Sequence, residues 1–209
     1  MDKDQDKQLA DALRGDQIAL QQLLLHNYTR LAESIRTRVP APLRAVVGVE
    51  DVLQSTFIQV FRGLSDFRDG DAEAFFAWLR SIAEARLKDS IRNATRKKRG
   101  GGWRRLEHGV ANSTGSLLEL TDLLSDQRRS PSGSVAAHEA IVALQVALAG
   151  LPEDQRQAIW LRHIESLTIE EVVEQMGRTE GAVRGLLHRG KASLKKSLGN
   201  SSAWFSRIQ

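Results

Sequence analysis

The sequence predicts an all-α protein of two small helical domains joined by a flexible linker. Apolar residues recur at intervals of three and four along most of its 209 residues, which is the spacing of helices that bury one face. No stretch shows the alternation of apolar and polar residues that is typical of a half-buried strand. Residues 108–134 are rich in Ser, Thr, Gly and Asn, which favours a connection between two domains over part of a core.

Composition excludes several classes of protein. The chain has no cysteine, hence no disulfide and no thiolate metal site, and its five histidines never fall at a ligand spacing such as His-x-x-x-His. We therefore expect neither a metal nor another cofactor. No apolar run approaches the roughly 18 residues that a membrane-spanning helix needs. The expectation is a cytoplasmic protein that does not bind membranes.

Positive charge is concentrated in one segment. The net charge is +4, but residues 86–105 hold nine basic residues and one acidic residue, and the chain is acidic on both sides of them. Residues 151–209 are weakly basic again. This distribution favours a protein that holds a polyanion at two places, with ordinary solvated Lys and Arg faces as the alternative.

The first domain begins with two helices separated at Gly15 and Asp16. Pro40 and Pro42 end the second, because proline lacks a backbone donor and disfavours a helical residue before it. Residues 49–64 follow with the most regular helical pattern of the chain. Their polar face is typical of a helix on which a partner docks, although a solvated face fits the same residues. That face comprises Asp51, Gln54, Ser55, Ile58, Gln59 and Arg62.

A loop around Gly70 leads into a long helix over residues 74–95, and Trp78 belongs to the apolar face of that helix. The helix turns basic at its end and is followed by glycines and Trp103. A basic run with a nearby aromatic residue suits single-stranded or melted nucleic acid, and a disordered tail is the alternative. The basic run comprises Arg92, Arg96, Lys97, Lys98 and Arg99.

Residues 100–134 are assigned to the linker and residues 200–209 to a C-terminal tail. The linker contains one amphipathic segment, in which leucines lie beside acidic side chains: Leu117, Leu118, Leu120, Leu123 and Leu124 with Glu119, Asp122 and Asp126. This acidic amphipathic segment is too short to be a stable helix without a partner.

Residues 135–199 predict a four-helix domain that contains a helix-turn-helix. Thr168 and Glu171 form a capping box at the start of its third helix, Gly177 supplies the turn, and Thr179 caps the last helix. The last helix is basic, which suits a helix lying among phosphates, while an ordinary helical hairpin is the alternative. Its charged and titratable residues are Glu180, Arg184, His188, Arg189, Lys191, Lys195 and Lys196.

In their order and spacing, these motifs resemble those of a bacterial RNA polymerase sigma factor of the small extracytoplasmic-function (ECF) type, in the sigma-70 family. The resemblance covers nearly the whole chain, with residues 1–99 similar to sigma region 2 and residues 135–199 similar to region 4. The residues that carry it are Gly15, Asp16, Ala19, Leu23 and Tyr28; Glu50, Asp51, Val52, Leu53, Gln54 and Phe57; Trp78, Leu79, Ile82, Ala83, Asp89 and Arg92; and Leu151, Pro152, Arg156, Gly181, Val183, Arg184, Leu187, His188, Arg189 and Leu194.

The resemblance implies a specificity subunit that directs promoter-specific transcription initiation and is not itself an enzyme. Its partners would be promoter DNA and core RNA polymerase, at the β′ clamp and the β flap. The acidic linker would run toward the RNA exit path. An anti-sigma factor is a further partner that the family allows.

The resemblance also assigns residues to each task. Core-polymerase binding would fall to Asp51, Gln54, Ser55 and Ile58. Binding of the minus-ten element would fall to Phe67, Arg68, Asp69, Gly70, Arg92, Arg96, Lys97 and Lys98. Binding of the minus-thirty-five element would fall to Arg178, Thr179, Glu180, Ala182, Arg184, His188, Arg189 and Lys191.

The last helix departs from the usual family pattern. Ala182 and Gly185 stand where hydroxyl residues are common, and Leu186 stands where a basic residue is frequent. Gly181, Gly185 and Gly190 each cost about 1 kcal/mol relative to Ala in a helix interior. This composition predicts a recognition helix that orders fully only on DNA.

Two other functions fit parts of the sequence. A stand-alone helix-turn-helix transcriptional regulator would bind duplex DNA through residues 135–199, but it needs a sensor pocket where the N-terminal half offers a docking helix and a basic end. A metal-dependent hydrolase or nuclease could use clustered acids, for which a hydrated loop is the better interpretation. Those acids are Asp66, Asp69, Asp71 and Glu73.

Overall fold

The computed structural model describes residues 3–99, 111–124 and 134–205, and all regular structure within those ranges is helical. The chain divides into two compact units, residues 1–110 and residues 111–209. None of the helices described is both long and apolar enough to span a bilayer. The predicted all-α architecture is confirmed.

The N-terminal unit contains four α-helices within the described residues. They are α1 (Lys3–Leu13), α2 (Gln17–Arg36), α3 (Val49–Gly63) and α4 (Ala72–Arg99), with 3₁₀ turns at Ala41–Leu43 and Leu64–Asp66. The predicted break after α1 is confirmed, since Gly15 has a φ of +98° and Asp16 caps α2 through hydrogen bonds from two backbone N–H groups. Helix α4 begins two residues earlier and ends four residues later than periodicity predicts.

The core of this unit consists mainly of apolar side chains from α2, α3 and α4, with Leu9 and Ala12 added from α1. Its fully buried members include Leu23, Leu24, Leu31, Ile35, Leu53, Phe57, Phe75 and Leu79. Two buried polar side chains bond to backbone one turn away: Thr56 donates to the Val52 carbonyl at 2.7 Å and Asn27 donates to the Leu23 carbonyl at 2.9 Å. These two groups therefore add little desolvation cost to the core.

In its described part, the C-terminal unit contains the four predicted helices and one more. They are α6 (Ser134–Ala149), α7 (Glu153–Ile159) with a π-helical continuation (Trp160–Ile164), α8 (Ile169–Met176) and α9 (Glu180–Phe205), preceded by α5 (Ala111–Leu124). Helix α9 extends past residue 199, where the tail is predicted, and it is continuous through its glycines. Burial of Val183, Leu187 and Leu194 in the core offsets the cost of those glycines.

Helix α5 is the main departure from the predicted organisation. It lies inside the predicted linker, yet Leu117, Leu120 and Leu124 are at most 4% exposed and belong to the same hydrophobic core as α6 to α9. Helix α5 contacts α6, α9 and the π-helical turn. The partner that this short segment needs is therefore the C-terminal unit itself. The rest of the predicted linker, residues 100–110 and 125–133, lies outside the described residues.

We predict that Leu120→Ala destabilises the C-terminal unit by about 2–5 kcal/mol, because Leu120 is 1% exposed and its removal leaves a cavity. Leu123→Ala is the matched control on the same helix, since Leu123 is 53% exposed. Its effect should stay within about 0.5 kcal/mol. Native-state hydrogen exchange of the α6 and α9 amides measures both. Equal exchange rates in the two variants would mean that α5 is not docked.

Gly190 allows α9 to approach α7 closely. A Cβ atom at this buried position would lie 3.0 Å from Cγ1 of Ile159 and 3.6 Å from Cβ of Gln155. Gly190 therefore lowers the intrinsic helix propensity of α9 but allows α9 to pack closely against α7.

Gly190→Ala should lower the free energy of unfolding of the C-terminal unit by up to about 2 kcal/mol. Overpacking costs about 1–3 kcal/mol, which exceeds the gain of about 1 kcal/mol in helix propensity. Gly199→Ala is the control, because no atom lies within 4 Å of the added Cβ, and it should be neutral or stabilising. Thermal denaturation compares the two, and a rise in Tm for both variants would contradict the close-packing argument.

Candidate nucleic-acid and polymerase interfaces

The predicted docking face of α3 is only partly exposed. Asp51 is exposed, and Ser55 and Ile58 are half-buried. Gln54 is only 9% exposed, so the prediction that it belongs to an open polar face is wrong. Desolvation and the neighbouring Glu50 raise the pKa of the Asp51 carboxyl.

The buried amide of Gln54 makes no hydrogen bond with any of the described residues. Neither its oxygen nor its nitrogen has a partner. A buried, unsatisfied polar group typically costs about 1–3 kcal/mol. Gln54 is thus a buried polar residue without hydrogen bonds, at an energetic cost, within the predicted docking helix.

Phe67 anchors the loop that precedes α4. It is 7% exposed, and its ring centroid lies 5.7 Å from that of Phe75, edge to face, and 5.6 Å from that of Trp78. This burial gives Phe67 a structural role in the loop, and its contact with minus-ten DNA stays a prediction. Trp78 is half-buried in the same cluster, close to its predicted place in the core.

The exposed part of this loop comprises Arg68, Asp69 and Gly70. Gly70 has a φ of +140°, and a Cβ atom there would lie 2.5 Å from the Cβ of Ala74. Only glycine fits both the backbone angle and the close approach to α4. The loop therefore lies tightly against the first turn of α4.

Two carboxylates cap the N-terminus of α4. Oδ1 of Asp71 accepts a hydrogen bond from the Ala74 N–H at 2.9 Å, as an ordinary cap does. Oδ1 of Asp6, from α1, accepts one from the Ala72 N–H at 2.9 Å. Sequence reasoning missed Asp6, because nothing local links two groups separated by 66 residues.

An ion pair joins α2 to the same end of α4. Arg30 donates to both carboxylate oxygens of Glu73, at 2.7 and 2.9 Å, and its guanidinium lies 3.8 Å from the ring centroid of Phe76. The hydrogen bond from Arg30 lowers the pKa of Glu73. Two of the four loop acids are therefore engaged separately, Asp71 as a cap and Glu73 in an ion pair. The described residues contain no cluster of three groups suited to hold a metal ion.

The basic end of α4 presents Arg92 and Arg96 to solvent. They line an open concavity of about 800 Å³ together with Arg86, Asp89 and neighbouring side chains of the helix. Lys97 and Lys98 continue α4, but their side chains lie outside the described residues. Trp103 and the basic residues beside it also lie outside those residues.

The helix-turn-helix has the predicted local chemistry. The Thr168 hydroxyl accepts from the Glu171 N–H at 3.3 Å, and the Glu171 carboxylate accepts from the Thr168 N–H at 2.7 Å, which confirms the capping box. Gly177 ends α8 with a φ of +61°. Thr179 accepts a weak bond of 3.4 Å from the Ala182 N–H at the start of α9.

The outer face of α9 carries most of the predicted duplex-binding residues. The exposed ones are Arg178, Thr179, Glu180, Ala182, Arg184, His188 and Arg189, and Lys191 is half-buried. Leu186 is 8% exposed and packs into the core. A Cβ at Gly185 would lie 3.2 Å from Nη1 of Arg189, so the small residue gives that guanidinium room to lie along the helix.

Two of these arginines are already paired within the chain. Nη2 of Arg178 donates to Oδ2 of Asp154 at 2.8 Å, and Nε of Arg184 donates to Oε1 of Glu180 at 2.8 Å. Both pairs are solvent-exposed, and such pairs contribute little to stability. Phosphates or base edges can therefore replace the carboxylates at small cost.

Comparison with known proteins matches each unit to a separate family model. Residues 24–97 match sigma-70 region 2, and residues 141–194 match sigma-70 region 4. The chain is 30% identical over 197 residues to the RNA polymerase sigma-H factor of Pseudomonas aeruginosa, covering 94% of this chain and 95% of that protein. It is 29% identical over 181 residues to the ECF RNA polymerase sigma-E factors of Escherichia coli K12 and Salmonella typhimurium LT2, covering 87% of each chain.

Proposed function

Because the chain belongs to the sigma-70 family, as an ECF sigma factor that directs RNA polymerase to promoters, we propose that its two units perform separate parts of that task. The N-terminal unit docks on core polymerase and captures the minus-ten element, and the C-terminal unit reads the minus-thirty-five element. The separate matches of regions 2 and 4 to the two units carry this division. The region 2 match also disfavours a stand-alone regulator.

Docking on polymerase uses α3. We assign the contact to the β′ clamp, with exposed Asp51 at its edge and Gln54, Ser55 and Ile58 within it. The unsatisfied amide of Gln54 supports this assignment. Both of its polar atoms are buried in the free chain, and turning the side chain outward onto a partner that offers a donor and an acceptor removes a cost that the free chain bears. The C-terminal unit makes the second contact, with the β flap. The work of the protein is then cytoplasmic, beside the polymerase.

Capture of the minus-ten element uses the loop before α4 and the basic end of α4. Opening DNA costs about 1.4 kcal/mol of stacking per base-pair step. Exposed Arg68 and Asp69 face an unpaired base, while Arg92 and Arg96 hold the strand backbone, as charged tracks for single strands do. Lys97 and Lys98 extend that track. Phe67 supports the loop from beneath.

Reading of the minus-thirty-five element uses α9. Its N-terminal half enters the major groove, as the second helix of a helix-turn-helix does. Arg178 and Arg184 exchange their carboxylate partners for phosphates or base edges. The small side chain of Ala182 leaves room for close approach of the DNA backbone, and His188, Arg189 and Lys191 follow along the groove.

Run-off transcription with core polymerase on a library of genomic fragments tests the proposed function. Addition of the chain should produce discrete start sites that core polymerase alone does not produce. A mobility-shift assay of the free chain is the companion measurement. Tight, specific binding of duplex DNA without core polymerase, and no stimulated transcription with it, would support the stand-alone regulator instead.

We predict that Gln54→Met raises the Tm of the N-terminal unit and weakens binding of core polymerase. Replacing an unsatisfied amide by an apolar side chain of similar shape removes a desolvation cost of about 1–3 kcal/mol, and about 1 kcal/mol shifts the Tm of a domain of this size by several degrees. Asp51→Arg should weaken core binding while leaving α3 folded. Gln17→Met, at an exposed site on α2, is the control for both measurements. Undiminished copurification of Gln54→Met with polymerase would remove Gln54 from the interface.

Arg184→Ala should weaken promoter binding by the holoenzyme by about 1–3 kcal/mol if the guanidinium contacts a base. Core binding should be unchanged, since Arg184 is exposed on the part of α9 assigned to DNA and not on the docking helix α3. Lys196→Ala, at an exposed site farther along α9, is the matched control and should cause a smaller loss that is similar for all sequences. Equal transcription by the Arg184 variant and the unmodified chain would contradict the assignment.

A further inference from the structure

The loop before α4 has little freedom of its own. Phe67 is fixed in the aromatic cluster at one end of the loop, and Gly70 touches Ala74 at the other. Between these two contacts lie only Arg68 and Asp69. The positions of these exposed side chains therefore follow the first turn of α4.

The first turn of α4 is held partly from outside itself. The first N–H groups of a helix have no partner within the helix, and Asp71 supplies a side-chain oxygen to one of them, that of Ala74. The Ala72 N–H bonds instead to Asp6 on α1. This carboxylate also places negative charge at the positive end of the helix dipole.

Helix α1 is itself firmly packed. Leu9 and Ala12 are each 2% exposed, and α1 contacts both α2 and α4. Arg30 of α2 independently holds Glu73 in the same turn of α4. The first turn of α4 is thus held by α1 and α2 together.

We propose that Asp6 is a positioning residue for minus-ten recognition, through which α1 fixes the loop that presents Arg68 and Asp69. The inference rests on the proposed function of that loop. Helix α1 lies before residues 24–97, the segment that matches region 2, so the family match gives it no role. Discrimination between bases depends on side chains held within fractions of an ångström, and a looser first turn reduces it before it reduces folding.

The test uses the full chain assembled with core polymerase. Two pools of duplex fragments are selected by transcription, one randomised in the minus-ten window and one in the minus-thirty-five window. Asp6→Ala should lower minus-ten selectivity about three- to tenfold, in line with the loss of a helix cap. Its minus-thirty-five selectivity and core affinity should not change. Asp6→Asn should restore most of the selectivity, because its amide oxygen still accepts the hydrogen bond.

Two controls separate positioning from stability. Asp4→Ala removes an exposed carboxylate from the same helix and should leave both selectivities unchanged. Val39→Ala truncates a buried side chain of the same unit away from the loop, and it should lower the Tm without lowering minus-ten selectivity. Hydrogen exchange of the Ala72 and Ala74 amides should quicken in Asp6→Ala alone.

Three outcomes would overturn the inference. Asp6→Ala with normal minus-ten selectivity would show that the cap does not position the loop. Equal losses in both windows, or the same loss in Val39→Ala, would mean that Asp6 acts through stability alone. An unmodified chain that selects in neither window would overturn the proposed function, and this inference with it. A chain that selects in both windows, with Asp6→Ala unchanged, would leave the proposed function intact.

Discussion

The unpaired N–H groups at helix N-termini are the constraint on which both proposed DNA-facing segments depend. Each such end needs a hydrogen-bond acceptor, and whatever supplies it fixes the direction in which the chain enters the helix. In the C-terminal unit the acceptors are local, from Thr168 and Thr179. At the N-terminus of α4 one acceptor is local, from Asp71, and one comes from Asp6 in α1. Local capping makes the helix-turn-helix a self-contained part, whereas the loop before α4 depends on the fold around it.

Ion pairs within the chain moderate its attraction to DNA. Arg178 and Arg184 are paired with carboxylates on the proposed duplex-binding surface, so binding requires an exchange of anions and not only the neutralisation of free cations. Replacing a carboxylate by a phosphate at an exposed ion pair costs little free energy, and the new contact contributes correspondingly little to binding. A C-terminal unit of this kind gains useful affinity when a second attachment, here to polymerase, raises its effective concentration at the promoter.

Features determined by nearby residues could be predicted from the sequence. Helical spacing located the helices, and the capping box and Gly177 located the helix-turn-helix, because their hydrogen bonds span only a few residues. Features determined by distant residues could not. The sequence places Gln54 on the polar face of α3 but does not show how much of that face is buried in the fold. The leucines of α5 form an apolar face, but the sequence does not identify what that face packs against. The cap from Asp6 is the extreme case, because its two partners share no local pattern.

The polar groups of the N-terminal core show why Gln54 is better explained by a partner than by folding. Thr56 and Asn27 are also buried, but each bonds to a carbonyl one turn away and so costs the fold little. Among the described residues, Gln8 and Gln155 leave only an oxygen without a partner, whereas Gln54 leaves both its oxygen and its nitrogen. A methionine of nearly the same shape would avoid that cost. Gln54 lowers the stability of the fold and lies on the helix that the resemblance assigns to polymerase binding. A residue of this kind is expected to be retained for its role in binding and not for folding.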